Sequence, residues 1–318
     1  MSLTTQPRAS AVVIGNFDGV HRGHQSVLAA LGRIANERNL TPTLLTFDPH
    51  PAVTLGRTAP ALLTRLQRKI ELVRRFCPGI VIAVRQFTRA FSEQTPGEFV
   101  ERVLLGELDA KAVMVGANFR FGRARAGGLD ELNSFGRALG FDLLAEVLID
   151  DEHGALSSTR VRKLIASGDI DGANQLLGRL HMVSARVEHG HKRGRTIGFP
   201  TCNLAGTDEL LPADGVYAVL VDRITNGVAR AIGQGVANLG VRPTIQGDGQ
   251  RLLEVHLFNF EEELYGEELR VHFAERLRDE QRFTSLDELK AQIARDSERA
   301  RQTLATRTPP PDGDGAWG

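Results

Sequence analysis

Two hydrophobic rhythms divide this chain, and the change from one to the other around His181 is what most limits its fold. Before it, short aliphatic runs (Ala11–Ile14, Thr43–Phe47, Ile80–Val84, Ala112–Val115, Leu143–Ile149) alternate with segments of helical spacing (His24–Arg38, Arg65–Arg75, Pro96–Leu105, Leu129–Leu139). Strand–helix alternation predicts an α/β unit, a Rossmann-like parallel sheet with helices on both faces. Two short helical stretches follow, Thr159–Ser167 and Ile170–Leu177, broken at Gly168-Asp169. After His181 the strands run on without helices: Met182–Glu188, Val216–Asp222, Arg230–Val236, Leu252–Phe258 and Leu269–His272. A helical pattern returns only at Ser285–Leu304, which predicts an antiparallel sheet or small barrel with one closing helix. Domains are expected over residues 10–170 and 181–305, parting near Gly168–Arg179, with a disordered, proline-rich tail over 306–318.

Charge and cysteine content narrow the function classes. Lys+Arg and Asp+Glu both number 39, so the basic excess of a nucleic-acid or membrane-surface binder is missing. Every apolar run falls short of the ~20 residues that cross a bilayer. The polar stretch Met1–Ser10 lacks a signal-peptide core. Two distant cysteines, Cys77 and Cys202, argue against a disulfide framework and for a cytoplasmic protein.

The first run is followed at once by Gly15-Asn16-Phe17-Asp18-Gly19-Val20-His21-Arg22-Gly23-His24. Gly23 lets the backbone turn tightly against a ligand, and the helix that follows presents unpaired N–H groups to phosphate oxygens. His21 and His24, one turn apart, can donate hydrogen bonds to charge building on an attacked α-phosphate; alternatively they simply cap the helix. His50, within Thr46-Phe47-Asp48-Pro49-His50-Pro51, follows the second run, where open α/β sheets bind ligands, or belongs to a rigid loop. Asn118, in Val115-Gly116-Ala117-Asn118-Phe119-Arg120-Phe121-Gly122, offers an amide to a base or ribose, while Phe119 and Phe121 fit a plain core equally well. Ser157-Ser158-Thr159-Arg160-Val161-Arg162 suits a pyrophosphate or an ordinary helix cap. No G-x-x-x-x-G-K-[ST] loop occurs, which excludes a Walker-type ATP site.

In the second half, Gly190-His191-Lys192-Arg193-Gly194-Arg195-Thr196-Ile197-Gly198-Phe199-Pro200-Thr201-Cys202-Asn203 combines a glycine-flanked basic loop with two oxygen donors. Thr201 and Asn203, two apart on extended chain, face the same way and suit Mg²⁺. In Leu252–Phe258 alternation sets Leu253, Val255 and Leu257 on one face and Glu254 with His256 on the other. A carboxylate in so apolar a strand points to pairing or to general-base chemistry, with an outward-facing glutamate as the plain alternative.

These motifs resemble those of the bacterial bifunctional riboflavin kinase/FAD synthetases. The first ~170 residues, about one domain's length, look like the FMN adenylyltransferase module of the His-x-Gly-His nucleotidylyltransferases. The resemblance implies ATP and flavin binding around Gly15, Phe17, Asp18, His50, Asn118, Ser158, Thr159 and Arg162, with His21 and His24 as the phosphate-stabilising pair. The segment from His181 to Leu304 resembles the riboflavin kinase module. It implies a six-stranded Greek-key barrel, nucleotide contacts at Gly190 and Gly194, Thr201 and Asn203 as Mg²⁺/ATP ligands, and Glu254 as catalytic base. Riboflavin, FMN and ATP are then the substrates, with Mg²⁺ required. Leu156 and Cys202 depart from the family, which commonly has isoleucine and alanine there; Cys202 is expected to point away from Thr201 and Asn203 and affect packing only.

Overall fold

The structure, a computed structural model, describes residues 9–145, 150–152, 154–189, 199–242 and 250–307. Its chain divides into two compact units, Met1–Pro60 with Thr64–Ser158, and Ala61–Leu63 with Thr159–Gly318.

The first unit is built on a parallel sheet of β1 (Ser10–Ile14), β2 (Thr41–Asp48), β3 (Val81–Gln86), β4 (Ala110–Val115) and β5 (Asp142–Ala145), in the order β3-β2-β1-β4-β5. Both faces of β1 are buried. Ala11 and Val13 join a core with Leu28 and Leu31 of α1 (Arg22–Glu37). Val12 and Ile14 join the opposite core with Val100, Val103 and Leu132. The two-residue strand period and helices on both sides produce this double burial. After β2 come a single turn, α2 (Pro51–Thr54), and then α3 (Leu66–Phe76). A second single turn, α4 (Arg89–Ser92), follows β3. The expected helix Pro96–Leu105 starts at Pro96 inside a capping box made by Thr95 and Glu98, as α5 (Pro96–Glu98). It then widens to π-helical bonding over Phe99–Glu107. The remaining helix is α6 (Leu129–Leu139), and a hairpin of β6 (Asp150–Asp151) and β7 (Gly154–Ala155) follows β5. Residues 146–149 of the expected fifth strand, and the expected tail from 308, lie outside the described residues.

The second unit opens with α7 (Ser158–Ser167, from Thr159) and α8 (Ile170–Leu177). Ile170 lies in the barrel core, and Asn174 donates from Nδ2 to the Phe273 carbonyl (3.0 Å) while its Oδ1 accepts from His181 N–H (2.6 Å). These contacts tie α8 to the barrel, and the division between the compact units falls at Ser158/Thr159.

The barrel is closed and antiparallel: β8 (His181–Glu188), β9 (Cys202–Ala205), β10 (Gly215–Thr225), β11 (Val228–Arg242), β12 (Gln250–Leu257) and β13 (Glu268–Arg278), ordered β10-β11-β12-β9-β8-β13. Closure removes exposed edges and gives each strand an inner and an outer face. Val183, Val219, Leu253, Val255, Val271 and Phe273 fill the inside. On the outside, Val216, Ala218, Leu220 and Ala274 meet Ala300 and Leu304 of α9 (Leu286–Leu304). Among the described residues no helix is long and apolar enough to cross a membrane.

Candidate functional sites

The strand order reverses between β1 and β4, and the crevice beyond the carboxyl ends of two such strands is where open α/β sheets bind ligands. The loop Gly15–His21 occupies that place in the first unit. His21 caps α1, its Nδ1 accepting from His24 N–H at 3.4 Å. Its ring stacks on His24 at a 3.8 Å centroid distance, and Phe17 also stacks on His24, at 4.5 Å. A side chain at Gly23 would come within 3.1 Å of the His21 ring, so glycine is what lets the imidazole fold over the helix start. Phe17 (φ 48°) and Val20 (φ 39°) both sit in the left-handed region, a strain that proteins keep mainly at functional sites.

Asp18 anchors the loop. It is 6% exposed, its Oδ1 accepts from Thr64 N–H (3.0 Å), and its carbonyl accepts from Ser158 Oγ (2.8 Å). His50 caps α2 by accepting from Ala52 N–H at Nδ1 (3.2 Å), and its Nε2 lies 3.0 Å from the Asn16 side-chain amide. Ala52 N–H engages Nδ1, so Nε2 is the ring atom turned to Asn16, whose Nδ2 lies closest. Ser158 and His50 thus both reach the motif loop. Asn118 stays exposed on the loop after β4, whereas Phe121 is buried in the core and Phe119 stacks on it at 5.6 Å, so for these aromatics the plain core reading holds. Arg162, half-buried in α7, donates from Nε to the Ala61 carbonyl (2.6 Å) within the second unit, and Thr159 is exposed.

Three features here were missed at the level of sequence. Asn16 was read only as part of the motif. A cleft of about 710 Å³ opens at the carboxyl end of β3, lined by Arg85, Gln86, Phe91, Gln94 and Arg102, within the size range of small-molecule pockets. Lys69 is 7% exposed. Its signal was available: it shares the i, i+3, i+4 stripe of α3 with buried Leu72 and Val73.

In the second unit, register brings the predicted groups together. Glu254 lies directly opposite Asn203 of β9 on one side and Asn238 of β11 on the other. Residues directly opposite share a face with Cβ atoms ~4.5–5.5 Å apart, so the carboxylate and two amides form one row across three strands. Their chain neighbours Leu253 and Val255 point into the barrel, which leaves the row on its outer face. Glu254 and Asn203 are half-buried. His256, next on the same face of β12, engages the Pro200 carbonyl through Nδ1 (2.8 Å), which pins the residue before Thr201. Thr201 is exposed and, with Pro200 and Cys202, lines a cavity of about 50 Å³ closed by Phe260, Leu264 and Tyr265. Cys202 packs against the barrel core, facing away from the row as expected. Gly190 and Gly194 lie outside the described residues.

Two stacked histidines at the switch point of one unit, and a carboxylate between two amides on a closed barrel in the other, fit a two-unit nucleotide-dependent transferase. Comparison with known proteins makes this specific. The FAD synthetase family model matches residues 3–160 and the riboflavin kinase family model matches residues 177–304. The chain is 41% identical over 298 residues to the bifunctional riboflavin kinase/FMN adenylyltransferase of Haemophilus influenzae, covering 92% of this chain and 93% of that one. It is 40% identical over 310 residues to the protein of the same name from Escherichia coli K12, covering 97% of each. A crystal structure described as a macrolide-efflux protein from Streptococcus pneumoniae superposes with a TM-score of 0.82 at 30% identity, covering 93% of this chain and 95% of that one. The chain belongs to the bifunctional riboflavin kinase/FMN adenylyltransferase family. It phosphorylates riboflavin to FMN and transfers AMP from ATP to FMN, with ATP as co-substrate of both reactions.

Proposed function

We propose that residues 10–170 carry AMP transfer at the His21–His24 loop and residues 181–305 carry riboflavin phosphorylation at the Glu254 row. The observation that supports this division is the Asn203–Glu254–Asn238 register, a carboxylate between two amides in a unit without the histidine motif.

In phosphorylation, Glu254 takes the proton of the ribityl primary hydroxyl as that oxygen bonds to the γ-phosphorus, and ADP leaves with the bridging oxygen. Thr201 and Asn203 would hold Mg²⁺: a hydroxyl and an amide oxygen are hard donors, and Asn203 stands directly beside the base. When bound, the ion neutralises charge on the ATP phosphates. In AMP transfer, an FMN phosphate oxygen bonds to the α-phosphorus of ATP and pyrophosphate departs. His21 and His24 donate hydrogen bonds to the charge that builds there, helped by the N-terminus of α1. Gly15, Phe17 and Asp18 shape and hold the loop, and His50 and Asn118 contact nucleotide or flavin. Ser158 serves the leaving pyrophosphate. The cleft beside Phe91, with Phe47 and Phe87 packed edge-on behind it (5.5 Å between them), suits a flavin ring. Two cysteines without a bridge fit a reducing cytoplasm.

The test is to resolve flavins by chromatography after incubation with ATP and Mg²⁺. His21→Ala is expected to accumulate FMN from riboflavin while FAD formation falls ~10²–10³-fold. Glu254→Gln is expected to lose ~10²–10⁴-fold in riboflavin phosphorylation yet still make FAD from supplied FMN. Normal FAD output from His21→Ala, or a Glu254→Gln defect cured by raising Mg²⁺, would reject the corresponding assignment.

A further inference from the structure

We propose that His256 is a positioning residue for riboflavin phosphorylation, its ring holding the Pro200–Thr201 peptide so that the Thr201 hydroxyl meets Mg²⁺ and ATP beside Glu254. This rests on the reading of Thr201 as a Mg²⁺/ATP ligand.

Thr201 stands one residue beyond the strand that carries Asn203. β9 starts at Cys202, and its last pair with β12 sets Cys202 opposite Val255. The sheet therefore holds Asn203 opposite Glu254, whereas Thr201 is exposed and outside that ladder. Its restraint comes from His256, which follows Glu254 on the outer face of β12. A carbonyl oxygen only accepts, so His256 donates its Nδ1–H to the Pro200 carbonyl, at 2.8 Å. Proline has no N–H and a fixed φ, which leaves ψ as the dihedral that aims the chain into Thr201. Holding the carbonyl sets that ψ, and planarity of the peptide carries the setting on to the nitrogen and Cα of Thr201. The ring is itself held. Phe199 and Phe258 meet it edge-on, at 5.5 and 5.9 Å between centroids, and the Arg301 guanidinium of α9 lies over Phe258 at 4.1 Å. Phe258 also belongs to the core that α9 closes, so this wall of the ring's pocket is fixed by packing. The base and the bond to Pro200 thus leave one strand two residues apart, and β12 places Thr201 as well as Asn203 relative to Glu254. Without the bond, Thr201 samples positions away from Asn203, which weakens capture of Mg·ATP and leaves the base where it was.

The experiment compares His256→Phe, which keeps a packed ring and removes the donor, with His256→Asn, whose Nδ2 stands where the ring Nδ1 stood. Both are made in the full chain, with FAD formation from supplied FMN as internal standard. His256→Phe is expected to raise KM for Mg·ATP in riboflavin phosphorylation ~3–10-fold, the effect of losing one neutral hydrogen bond. KM for riboflavin, and kcat at saturating Mg·ATP, should move less than about twofold. His256→Asn is expected to recover most of the loss. Calorimetric titration with an unhydrolysable ATP analogue and Mg²⁺ reads the same change without turnover, in the binding step that Thr201→Ala also weakens. Added to Thr201→Ala, His256→Phe should cost little more, because it acts through that hydroxyl. Unchanged Mg·ATP affinity in His256→Phe, an asparagine variant no better than phenylalanine, or strictly multiplicative losses with Thr201→Ala would overturn the proposal. So would a fall in kcat at saturating Mg·ATP with a lower melting temperature in both variants, which would make His256 a folding residue. Thr201→Ala alone separates the two readings. If it binds and uses Mg·ATP normally, the ligand assignment fails and His256 with it; if it is defective while His256→Phe is not, the His256 proposal alone fails.

Discussion

Histidines in this chain are used in opposite ways, and their surroundings decide which. His21 and His24 stack at the mouth of the sheet, next to a strained loop. His181 is sealed between α8 and the barrel, its Nε2 bonded to the Leu210 carbonyl at 2.9 Å, and burial lowers its pKa from 6.5 to about 4. The neutral ring therefore donates Nε2–H to that carbonyl. Between the two pKa values the unfolded chain binds a proton that the folded chain refuses, so stability falls as pH drops from 6.5 toward 4. The loss amounts to about 3 kcal/mol at most. His181→Gln keeps a donor and removes the titration. Melting followed from about pH 7 to about pH 4.5 should show the wild-type barrel losing more stability than the variant. Parallel profiles would assign the acid limb to other groups. Glu254 teaches a related lesson. Its face was legible from alternation with Leu253 and Val255, but its partners were not, because Asn203 and Asn238 come from distant strands and only register sets them opposite.

Elements with a clean hydrophobic period were readable almost to the residue: α6 and α8 span the expected ranges, and β1, β2 and β8 extend them by one to three residues. Elements without one were not. The strand β9 has four residues, too few to show a period, and α2 and α4 are single turns. Helix α9 shows what such a period is for. Its inward residues Ala300 and Leu304 are fully buried on the outer barrel face, and Arg278 pairs with Asp296 at 2.8 Å alongside. Leu304→Ala deletes buried methyls from a contact with little room to collapse, a class of change that costs ~2–5 kcal/mol. Riboflavin kinase activity should therefore be lost at a lower temperature in this variant, while FAD formation from supplied FMN keeps its wild-type heat profile. Equal loss of both activities would mean that the two units unfold as one.

At the scale of the whole molecule, the compact units set where the chain can be cut. Ile170 belongs to the barrel core, and Asn174 bonds both β8 and β13. A fragment of residues 159–307 is therefore expected to unfold cooperatively and to make FMN, whereas one beginning at His181 should melt lower or aggregate. Calorimetry of the two fragments checks this, and equal melting temperatures would show α8 to be dispensable. Even the longer fragment lacks Ala61–Leu63, whose Leu62 bridges Glu209 and whose Ala61 carbonyl accepts from Arg162, so some stability should still be lost relative to the full chain. By itself the sequence determined the two architectures, their order, and the motif residues from Gly15 to His24 and from Thr201 to Glu254. Hydrophobic period, turn residues and the chemistry of a side chain are local properties, written in any short window. Only the tertiary structure decided that α8 packs with the barrel, that Glu254 stands between two amides, and that Lys69 is buried. Each of these depends on register or burial between segments far apart in the chain, set by the packing of the whole unit and not by any one stretch of it.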